Sequence, residues 1–345
     1  MNIDEQYMQR CLELANLANG FTAPNPMVGC VIVHDGKIIG EGFHKKAGEP
    51  HAEVNAINSV EDQSLLPEST LYVNLEPCSH HGKTPPCSDL IVEKKIKRVV
   101  VAMQDPHKAV AGKGLERLRK NGIEVKTGVL EREALQLNRP FIIFHTKKRP
   151  FITLKWAKSA DGFIDHHRIS SEKSAKAISG QHTAILTHKM RSRHAAIMVG
   201  TRTAWLDNPS LNTRYWNGND PVRITLDRNA MLPKDLKLFT DGKPTVVFNA
   251  QENHIEGEVV FKKRSFDNDL IPSLLHDLHE LQVQSLFVEG GSMLLQSFID
   301  RNLWDNAWLY SSPLVLTEGV KAPTFNFPFK NRFTIGNDLI EYYEN

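Results

Sequence analysis

The sequence predicts an α/β fold arranged in two domains, and three observations support this. The chain has 345 residues, more than one hydrophobic core usually serves. Short apolar strand patterns alternate with helical patterns in both halves. The basic, proline-terminated stretch His-Thr-Lys-Lys-Arg-Pro at residues 145–150 separates the halves. We therefore predict domains at 1–146 and 147–345, the alternative being a charged surface turn within one domain.

The first half shows a regular β/α alternation. Asp4 is a candidate N-cap for a first helix that Gly20 ends, and the apolar run from Val28 to Val33 predicts a strand buried on both faces. Asp35-Gly36 predicts a tight hairpin turn. Further helices are predicted at 51–58, 87–95 and 115–120, and further strands at 71–75, 99–102 and 123–125.

The second half shows another alternation without repeating the first. Strands are predicted at 151–155, 196–199, 222–226, 246–248 and 286–289, and helices at 183–191, 270–281 and 292–300. Alternating elements of this kind predict a layered domain with helices packed on a sheet. The absence of an internal repeat indicates two unrelated domains.

Composition narrows the class of protein. Apolar residues make up 41% and charged residues 24%, with a net charge of +2, which is ordinary for a globular protein. No long Lys/Arg block supports a nucleic-acid partner. No signal pattern and no membrane-length apolar run is found, so we expect a cytoplasmic protein without a membrane or nucleic-acid partner.

The four cysteines divide into two pairs. Cys11 and Cys30 fall in apolar patterns and are expected to be inert core thiols. Cys78 and Cys87 are nine positions apart, and Gly82 with the prolines before Cys87 rules out a continuous helix between them. The intervening residues must therefore loop out, which allows both thiolates to reach one metal ion.

A histidine and a glutamate complete this candidate site. His51 follows Pro50 at the start of a predicted helix, and Glu53 lies two positions further on, with one residue between them. One histidine and two cysteines leave a zinc ion one open position for water, and a nearby glutamate that is not a ligand is the general acid/base of zinc deaminases. The residues predict that His51, Cys78 and Cys87 bind zinc while Glu53 transfers protons.

Two alternatives are open at this point. A structural zinc site would recruit a fourth ligand, for which His80 or His81 is available, but it leaves the spacing of Glu53 unexplained. A nucleic-acid-editing deaminase would share the same four residues and should show a basic groove lined with aromatic residues.

The motifs of both halves resemble one family. In the first half they are Thr22-Ala23-Pro24-Asn25-Pro26-Met27-Val28-Gly29-Cys30-Val31, Gly42-Phe43-His44, His51-Ala52-Glu53-Val54, Glu76-Pro77-Cys78-Ser79-His80-His81-Gly82-Lys83-Thr84-Pro85-Pro86-Cys87 and Asp105-Pro106. In the second half they are Leu154-Lys155-Trp156-Ala157-Lys158-Ser159-Ala160-Asp161-Gly162, Met198-Val199-Gly200-Thr201, Thr203, Asp207-Asn208-Pro209-Ser210-Leu211-Asn212-Thr213-Arg214 and Val288-Glu289-Gly290-Gly291. Together they resemble the bifunctional riboflavin-biosynthesis deaminase/reductase family.

The resemblance implies a fold and an activity for each domain. The first would be a cytidine-deaminase-like α/β/α layered domain that binds one zinc ion per chain. It would hydrolytically deaminate 2,5-diamino-6-ribosylamino-4(3H)-pyrimidinone 5′-phosphate. The second would be a dihydrofolate-reductase-like α/β domain that uses NADPH to reduce the ribosyl group to ribityl. A homo-oligomer, either a dimer or a tetramer, is also expected.

Substrate contacts in the first domain follow from the same resemblance. Asn25 and His44 would hold the pyrimidine, and His80 and Lys83 in the loop between the cysteines would flank the pocket. Lys83 would meet the phosphate as a point charge.

In the second domain, Val288-Glu289-Gly290-Gly291-Ser292 reads as a strand that passes through glycines into a helix N-terminus, where backbone N–H groups favour phosphate. Arg191 and Arg214 are candidates to clamp a substrate phosphate. Lys155, at the end of a strand expected to be buried, needs a partner such as Glu289 or Asp161.

The resemblance implies catalytic roles for Lys155 and Glu289. Substrate contacts are expected from Arg191, Leu211, Arg214 and Glu289. Cofactor contacts are expected from Ala157, Thr203, Asp207, Gly290, Gly291 and Ser292.

One departure from the family pattern bears on the reductase. Where a serine and a tryptophan usually stand, this chain has Ala175 and Ala177. Loss of the aromatic ring would remove surface that packs against the cofactor. A deaminase with a degenerate reductase domain is therefore the alternative function.

Overall fold

The structure is a computed structural model that describes residues 1–79, 85–106, 111–168 and 177–345. The chain folds into two compact units, Met1–Lys148 and Arg149–Asn345, whereas the sequence prediction placed the boundary after residue 146. Among the described residues, no helix has the length and apolar character needed to span a membrane.

The N-terminal unit is built on one five-stranded sheet in the order β2-β1-β3-β4-β5. Its strands are β1 Gly29–His34, β2 Lys37–Phe43, β3 Thr70–Leu75, β4 Arg98–Met103 and β5 Glu124–Thr127. Its α-helices are α1 Ile3–Asn16, α2 Ala52–Asn58, α3 Cys87–Glu93, α4 Lys113–Lys120, α5 Glu131–Leu137 and α6 Arg139–Lys147. Strand β1 is antiparallel to β2 and β3, while β3, β4 and β5 are parallel.

Both faces of this sheet are covered. Residues Cys30 and Ile32 of β1 pack with α2, α3 and α4 on one face, while Val31 and Val33 pack with α1 and α5 on the other. Because successive strand side chains point to opposite faces, a strand buried on both sides must be apolar throughout, as β1 is. The predicted three-layer α/β/α arrangement is confirmed.

A close approach between β2 and α2 sets the position of the helix. A Cβ atom on Gly42 would lie 2.3 Å from the Ala56 backbone nitrogen and 2.7 Å from the Ala52 carbonyl oxygen. No side chain fits there, so glycine brings the strand directly against the helix. This contact matters because α2 begins at the residue after His51.

The predicted cap of the first helix was wrong. Asn2 caps α1 and forms a capping box with Glu5. Asp4 is instead buried, and it accepts hydrogen bonds from Arg98, at 3.0 and 2.9 Å, and from Lys126 and Tyr72. These partners come from other strands of the sheet, so Asp4 fastens α1 to the sheet rather than capping it.

The C-terminal unit is built on a ten-stranded sheet in the order β11-β12-β10-β9-β8-β13-β6-β14-β17-β16. The strands of this unit are β6 Phe151–Lys158, β7 Phe163–Asp165, β8 Ala196–Val199, β9 Val222–Leu226, β10 Thr245–Asn249, β11 His254–Glu256, β12 Val259–Lys263, β13 Ser285–Glu289, β14 Asn306–Ser311, β15 Val320–Lys321, β16 Asn331–Ile335 and β17 Asp338–Glu344. Strands β7 and β15 pair with each other in a separate two-stranded sheet. The α-helices of the unit are α7 Gln181–Arg191, α8 Thr201–Asp207, α9 Lys237–Thr240, α10 Leu270–Glu280 and α11 Ser292–Asp300.

Strand β6 lies inside the sheet, with β13 and β14 as parallel neighbours. The prediction that this strand ends at Lys155 was wrong, because pairing with β14 continues to Lys158. Lys155 is therefore in mid-strand, directly opposite Glu289 of β13. Sheet register thus brings together two predicted site residues that are distant in sequence.

Helices cover this sheet on both faces. Ile152, Leu154 and Trp156 of β6 pack with α10 and α11 in the larger core. Residues Ile197 and Val199 of β8 form a second core with the segments around α8 and α9. The predicted layered α/β domain is confirmed.

Candidate active sites

The N-terminal unit brings three predicted metal ligands together. Nδ1 of His51 lies 3.3 Å from Sγ of Cys87 and 3.6 Å from Sγ of Cys78, and the three atoms lie within 4.8 Å of one another. His51 is the residue before α2, and Cys87 is the first residue of α3. The expectation that both cysteines converge although they are nine positions apart is confirmed.

These distances fit a zinc ion. Tetrahedral zinc with Zn–N near 2.0 Å and Zn–S near 2.3 Å separates a ligand nitrogen from a ligand sulfur by about 3.6 Å. The donor set of one imidazole and two thiolates is also one that zinc prefers. Among the described residues, the group has these three members; His80 and His81, the candidates for a fourth ligand, lie outside the described residues.

Glu53 lies in the first turn of α2, two positions beyond His51, and is only 4% exposed. Burial, together with the charge of Cys78, raises the pKa of Glu53 to about 7. Proton transfer near neutral pH needs a group with a pKa in this range. A hydrogen bond from Cys87 in turn lowers the pKa of Cys78 and favours its thiolate.

Two predicted substrate residues line up beside the metal ligands. Nδ2 of Asn25 lies 3.0 Å from Nε2 of His44, and Nδ1 of His44 lies 3.2 Å from the Pro50 carbonyl oxygen. The His44 ring meets the His51 ring edge-on at 5.5 Å. The carbonyl accepts from Nδ1–H, which leaves Nε2 to accept from Asn25, and burial lowers the pKa of His44. His44 is therefore held neutral at the site.

The other predicted residues of this unit divide between two outcomes. His80 and Lys83 lie outside the described residues. Cys11 and Cys30 are fully buried free thiols, and burial raises the pKa of both. The expectation that they are inert core residues is confirmed.

The C-terminal unit buries a cluster of charges at the centre of its sheet. Glu289 accepts from Arg191 Nε and Nη2 through Oε2, at 2.9 and 2.7 Å, and its Oε1 lies 3.5 Å from Lys155 Nζ. Lys155 also lies 4.8 Å from the centre of the Tyr310 ring. Of the two partners predicted for Lys155, the structure shows Glu289.

Burial and charge shift the pKa values in this cluster. Burial lowers the pKa of Lys155, and the charge of Glu289 only partly offsets this. Burial alone would raise the pKa of Glu289, but the charges of Arg191 and Lys155 outweigh it and bring the pKa to about 2. Glu289 is therefore ionised beside Arg191 and Lys155.

The charge cluster opens onto a large cleft of about 1200 Å³. Nearly all predicted residues of the reductase half line this cleft. They are Lys155, Ala157, Arg191, Thr203, Asp207, Leu211, Glu289, Gly290, Gly291 and Ser292. Such a volume exceeds the roughly 300–1,000 Å³ typical of small-molecule sites, so the cleft has room for a large ligand.

The turn from β13 to α11 forms one wall of the cleft. Gly290 and Gly291 have φ values of 81° and 75°, in the region that favours glycine. Gly291 precedes the first helical residue, Ser292, and no side chain caps this helix. Its backbone N–H groups remain available to an anionic ligand, as the sequence predicted for a phosphate.

The two predicted phosphate-binding arginines differ in position. Arg191 lines the cleft and donates to Glu289 and to the Asn212 carbonyl oxygen at 3.1 Å. Arg214 is exposed and absent from the cleft wall, with Nη1 3.1 Å from Asn212 Oδ1 and the guanidinium over the Tyr215 ring. Their joint role as a clamp stays a prediction.

Of the two alanines that depart from the family pattern, the structure describes one. Ala175 lies outside the described residues, and Ala177 is exposed.

Several residues that support these sites were not foreseen. Asn74 and Asn138 hold the Met27 backbone, with Asn138 Oδ1 accepting from Met27 N at 2.8 Å and both amides donating to Met27 O at 3.0 Å. They fix the loop that carries Asn25. In the other unit, Arg168 pairs with the cleft residue Asp207. No local sequence signal marks these contacts, because the partners are far apart in the chain.

Comparison with known proteins places both units. The family model described as "Cytidine and deoxycytidylate deaminase zinc-binding region" matches residues 1–103, and the "RibD C-terminal domain" matches residues 150–335. The riboflavin biosynthesis protein RibD of Aquifex aeolicus is 40% identical over 326 residues, covering 92% of this chain and 89% of that protein. Its counterpart from Bacillus amyloliquefaciens is 40% identical, covering 93% and 87%.

Solved structures agree over the full length. A Thermotoga maritima diaminohydroxyphosphoribosylaminopyrimidine deaminase/5-amino-6-(5-phosphoribosylamino)uracil reductase is similar with a TM-score of 0.89 at 37% identity, covering 99% of this chain and 98% of that chain. RibD of Acinetobacter baumannii is similar with a TM-score of 0.87 at 32% identity and the same coverage.

Proposed function

Because the chain belongs to the RibD family of bifunctional riboflavin-biosynthesis enzymes, we propose which of its residues carry the two reactions. The N-terminal unit is a zinc-dependent deaminase and the C-terminal unit an NADPH-dependent reductase. The substrate is 2,5-diamino-6-ribosylamino-4(3H)-pyrimidinone 5′-phosphate. Its ring is deaminated first, and its ribosyl group is then reduced to ribityl.

In the deaminase, His51, Cys78 and Cys87 hold the zinc ion. When bound, zinc supplies an activated water near neutral pH. Glu53 carries the two protons of the attacking water in turn, passing the first to the ring nitrogen and the second to the departing amino group. Asn25 and His44 hold the pyrimidine, which the pair can do because His44 is neutral and fixed by Pro50. His80 and Lys83 complete the substrate contacts.

In the reductase, NADPH supplies the hydride when it is bound. Ala157, Thr203, Asp207, Gly290, Gly291 and Ser292 form its binding surface. Lys155 and Glu289 contact and orient the sugar, with Arg191, Leu211 and Arg214 as further substrate contacts. Lys155 suits this role because its buried ammonium has Glu289 as its ion partner among the described residues, leaving N–H donors for sugar hydroxyls.

One observation carries the proposal above all others. Nδ1 of His51 and the sulfurs of Cys78 and Cys87 meet at zinc-ligand distances, with Glu53 buried beside them. A zinc site with a purely structural role does not require a buried glutamate such as Glu53 beside its ligands.

The test uses Glu53→Gln, which preserves shape and removes the proton carrier. Ammonia release from the diaminopyrimidine phosphate should fall by about 10²–10⁴-fold, while zinc content is unchanged. Glu61→Gln, an exposed substitution of the same chemistry, should release ammonia like the parent. Undiminished release by Glu53→Gln refutes the assigned role.

The reductase is tested in the same reaction with NADPH added. We expect NADPH oxidation to follow ammonia release, because the deaminated product is the substrate of the second step. Ammonia release without oxidation of either NADPH or NADH would establish the alternative, a degenerate reductase unit.

Two further predictions accompany the proposal. A dimer or tetramer is checked by light scattering of the purified protein. A cytoplasmic location agrees with a site that needs two reduced cysteines, and cell fractionation checks it.

A further inference from the structure

Glu76 connects the sheet to the metal ligand Cys78, two residues further on. It follows β3 directly and is 6% exposed. The hydrogen bonds that its carboxylate accepts from the described residues come from backbone N–H groups. They are those of Asp105 at 3.2 Å, Gly112 at 2.9 Å, Gly114 at 2.8 Å and Leu115 at 3.4 Å.

A steric contact joins the same two segments. A Cβ atom on Gly114 would lie 2.0 Å from the Pro77 carbonyl oxygen and 3.2 Å from Glu76 Oε1. The first turn of α4 therefore rests directly on the backbone between Glu76 and Cys78. Hydrogen bonding and close packing are two separate observations, and both hold the backbone between Glu76 and Cys78 against the start of α4.

The other side of Cys78 is fastened to α3. The Cys78 carbonyl oxygen accepts from Ser88 N at 3.1 Å, and its sulfur accepts from Cys87 N at 3.3 Å. The backbone of Cys78 is thus fixed by α4 before the residue and by α3 after it. The α3 contacts also involve the second cysteine ligand, whereas the α4 contacts depend on Glu76 and Gly114.

We propose that Glu76 is a positioning residue for the zinc site, which sets the direction in which Cys78 presents its sulfur. A carboxylate accepts hydrogen bonds at both oxygens, and both oxygens of Glu76 face backbone N–H groups. An amide at this position would turn one NH₂ group toward backbone N–H donors that then lose their acceptor. Because its oxygens are occupied by these N–H groups, Glu76 is neither a ligand nor a proton carrier.

The inference rests on the proposed zinc site, so its test starts by loading the full-length parent protein with zinc or with Co²⁺. Zinc release to a chromogenic chelator measures how firmly the site holds metal. The thiolate-to-cobalt charge-transfer band reports how many cysteines bind, which a merely structural role would not change. The variants are Glu76→Gln and, as a control on α4, Glu116→Gln, whose side chain is exposed.

Glu76→Gln should release zinc about 10–100-fold faster than the parent, the usual effect of losing support around a metal site, and its charge-transfer band should weaken. Glu116→Gln should match the parent. Calorimetric unfolding of the zinc-free full-length protein, with the transition of the N-terminal unit retained, reports that the unit carrying Glu76 is folded. Parent-like release and an unchanged band in folded Glu76→Gln overturn the proposal.

Gly114→Ala keeps the carboxylate and pushes on Pro77, and it is the second variant if Glu76→Gln does not fold. It should also release zinc faster and weaken the band, and parent-like behaviour in this variant overturns the proposal as well. Failure of the parent itself to bind zinc or cobalt would refute the proposed function instead, so the two failures are distinguishable.

Discussion

Removing the negative charge of Glu289 tests the buried cluster of the C-terminal unit. Glu289→Gln keeps the side-chain shape but leaves Lys155 and Arg191 as neighbouring buried cations. At an effective dielectric constant of about 20, unit charges at 3.5 Å and 2.7 Å attract by about 5 and about 6 kcal/mol. The cost of burying the three charges offsets most of this attraction. Breaking such a cluster by removing one partner typically costs about 3–5 kcal/mol, and we expect that loss.

Tryptophan fluorescence during urea unfolding is a suitable assay, because all five tryptophans belong to the C-terminal unit. They are Trp156, Trp205, Trp216, Trp304 and Trp308. The unfolding midpoint should fall in Glu289→Gln and stay near the parent value in Glu256→Gln, where the carboxylate is 58% exposed and its ion pair contributes little. NADPH oxidation should be lost in the first variant while ammonia release continues.

The sign of the pH dependence follows from Lys155. Burial lowers the pKa of Lys155 in the folded protein. As pH rises, the folded state therefore releases this proton before the unfolded state does, and the free energy of unfolding increases. Without Glu289 the pKa of Lys155 falls further. Loss of its proton then removes the cost of burying an unpaired ammonium group. The deficit of Glu289→Gln should therefore shrink from pH 7 to pH 9. A deficit below about 0.5 kcal/mol at pH 7, the range of ordinary surface substitutions, would refute the buried cluster.

Three further outcomes are expected. A chelator should abolish ammonia release but leave NADPH oxidation of supplied product intact, with release restored by zinc; chelator-resistant release would contradict the metal assignment. Asp4→Asn should lower the stability of the N-terminal unit by about 2 kcal/mol at pH 7, because it breaks charged hydrogen bonds to Arg98. Arg98 lowers the pKa of Asp4, so the extra stability of the wild type over Asp4→Asn is present above about pH 4 and is lost as pH falls below it. Calorimetry of the zinc-free proteins checks this pH dependence. Gly42→Ala should displace α2 and destabilise the N-terminal unit by more than about 1 kcal/mol, and normal ammonia release by this variant would argue against the close approach.

Much of the deaminase site was predictable because its chemistry is local in sequence. His51 and Glu53 are two positions apart, and the prolines and glycine between the cysteines left a loop as the only geometry. The hydrophobic pattern likewise predicted β1 and the helical layers on both sides of it, because a strand buried on both faces must be apolar throughout.

The errors came from contacts between distant segments. Asp4 and Asn2 are both capping residue types, and sequence alone does not show that Arg98 and Lys126 would draw Asp4 into the sheet. The role of Glu76 could not be predicted for the same reason, because its partners are backbone N–H groups of Asp105, of Gly112 and of the first turn of α4, about 30 to 40 positions away. In the second unit, the extent of β6 depended on β14, which was not predicted.

The place of β6 in its sheet also bears on how the protein is made. A chain emerges from the ribosome N-terminus first, so the sheet of the N-terminal unit is complete while the second unit is still being synthesised. Strand β6, by contrast, is made first but pairs with β13 and β14, near the end of the chain. Until they arrive it is an apolar strand with two open edges, the kind that associates with copies of itself. A charge within an otherwise apolar strand generally opposes such association, and Lys155 provides one in the middle of β6.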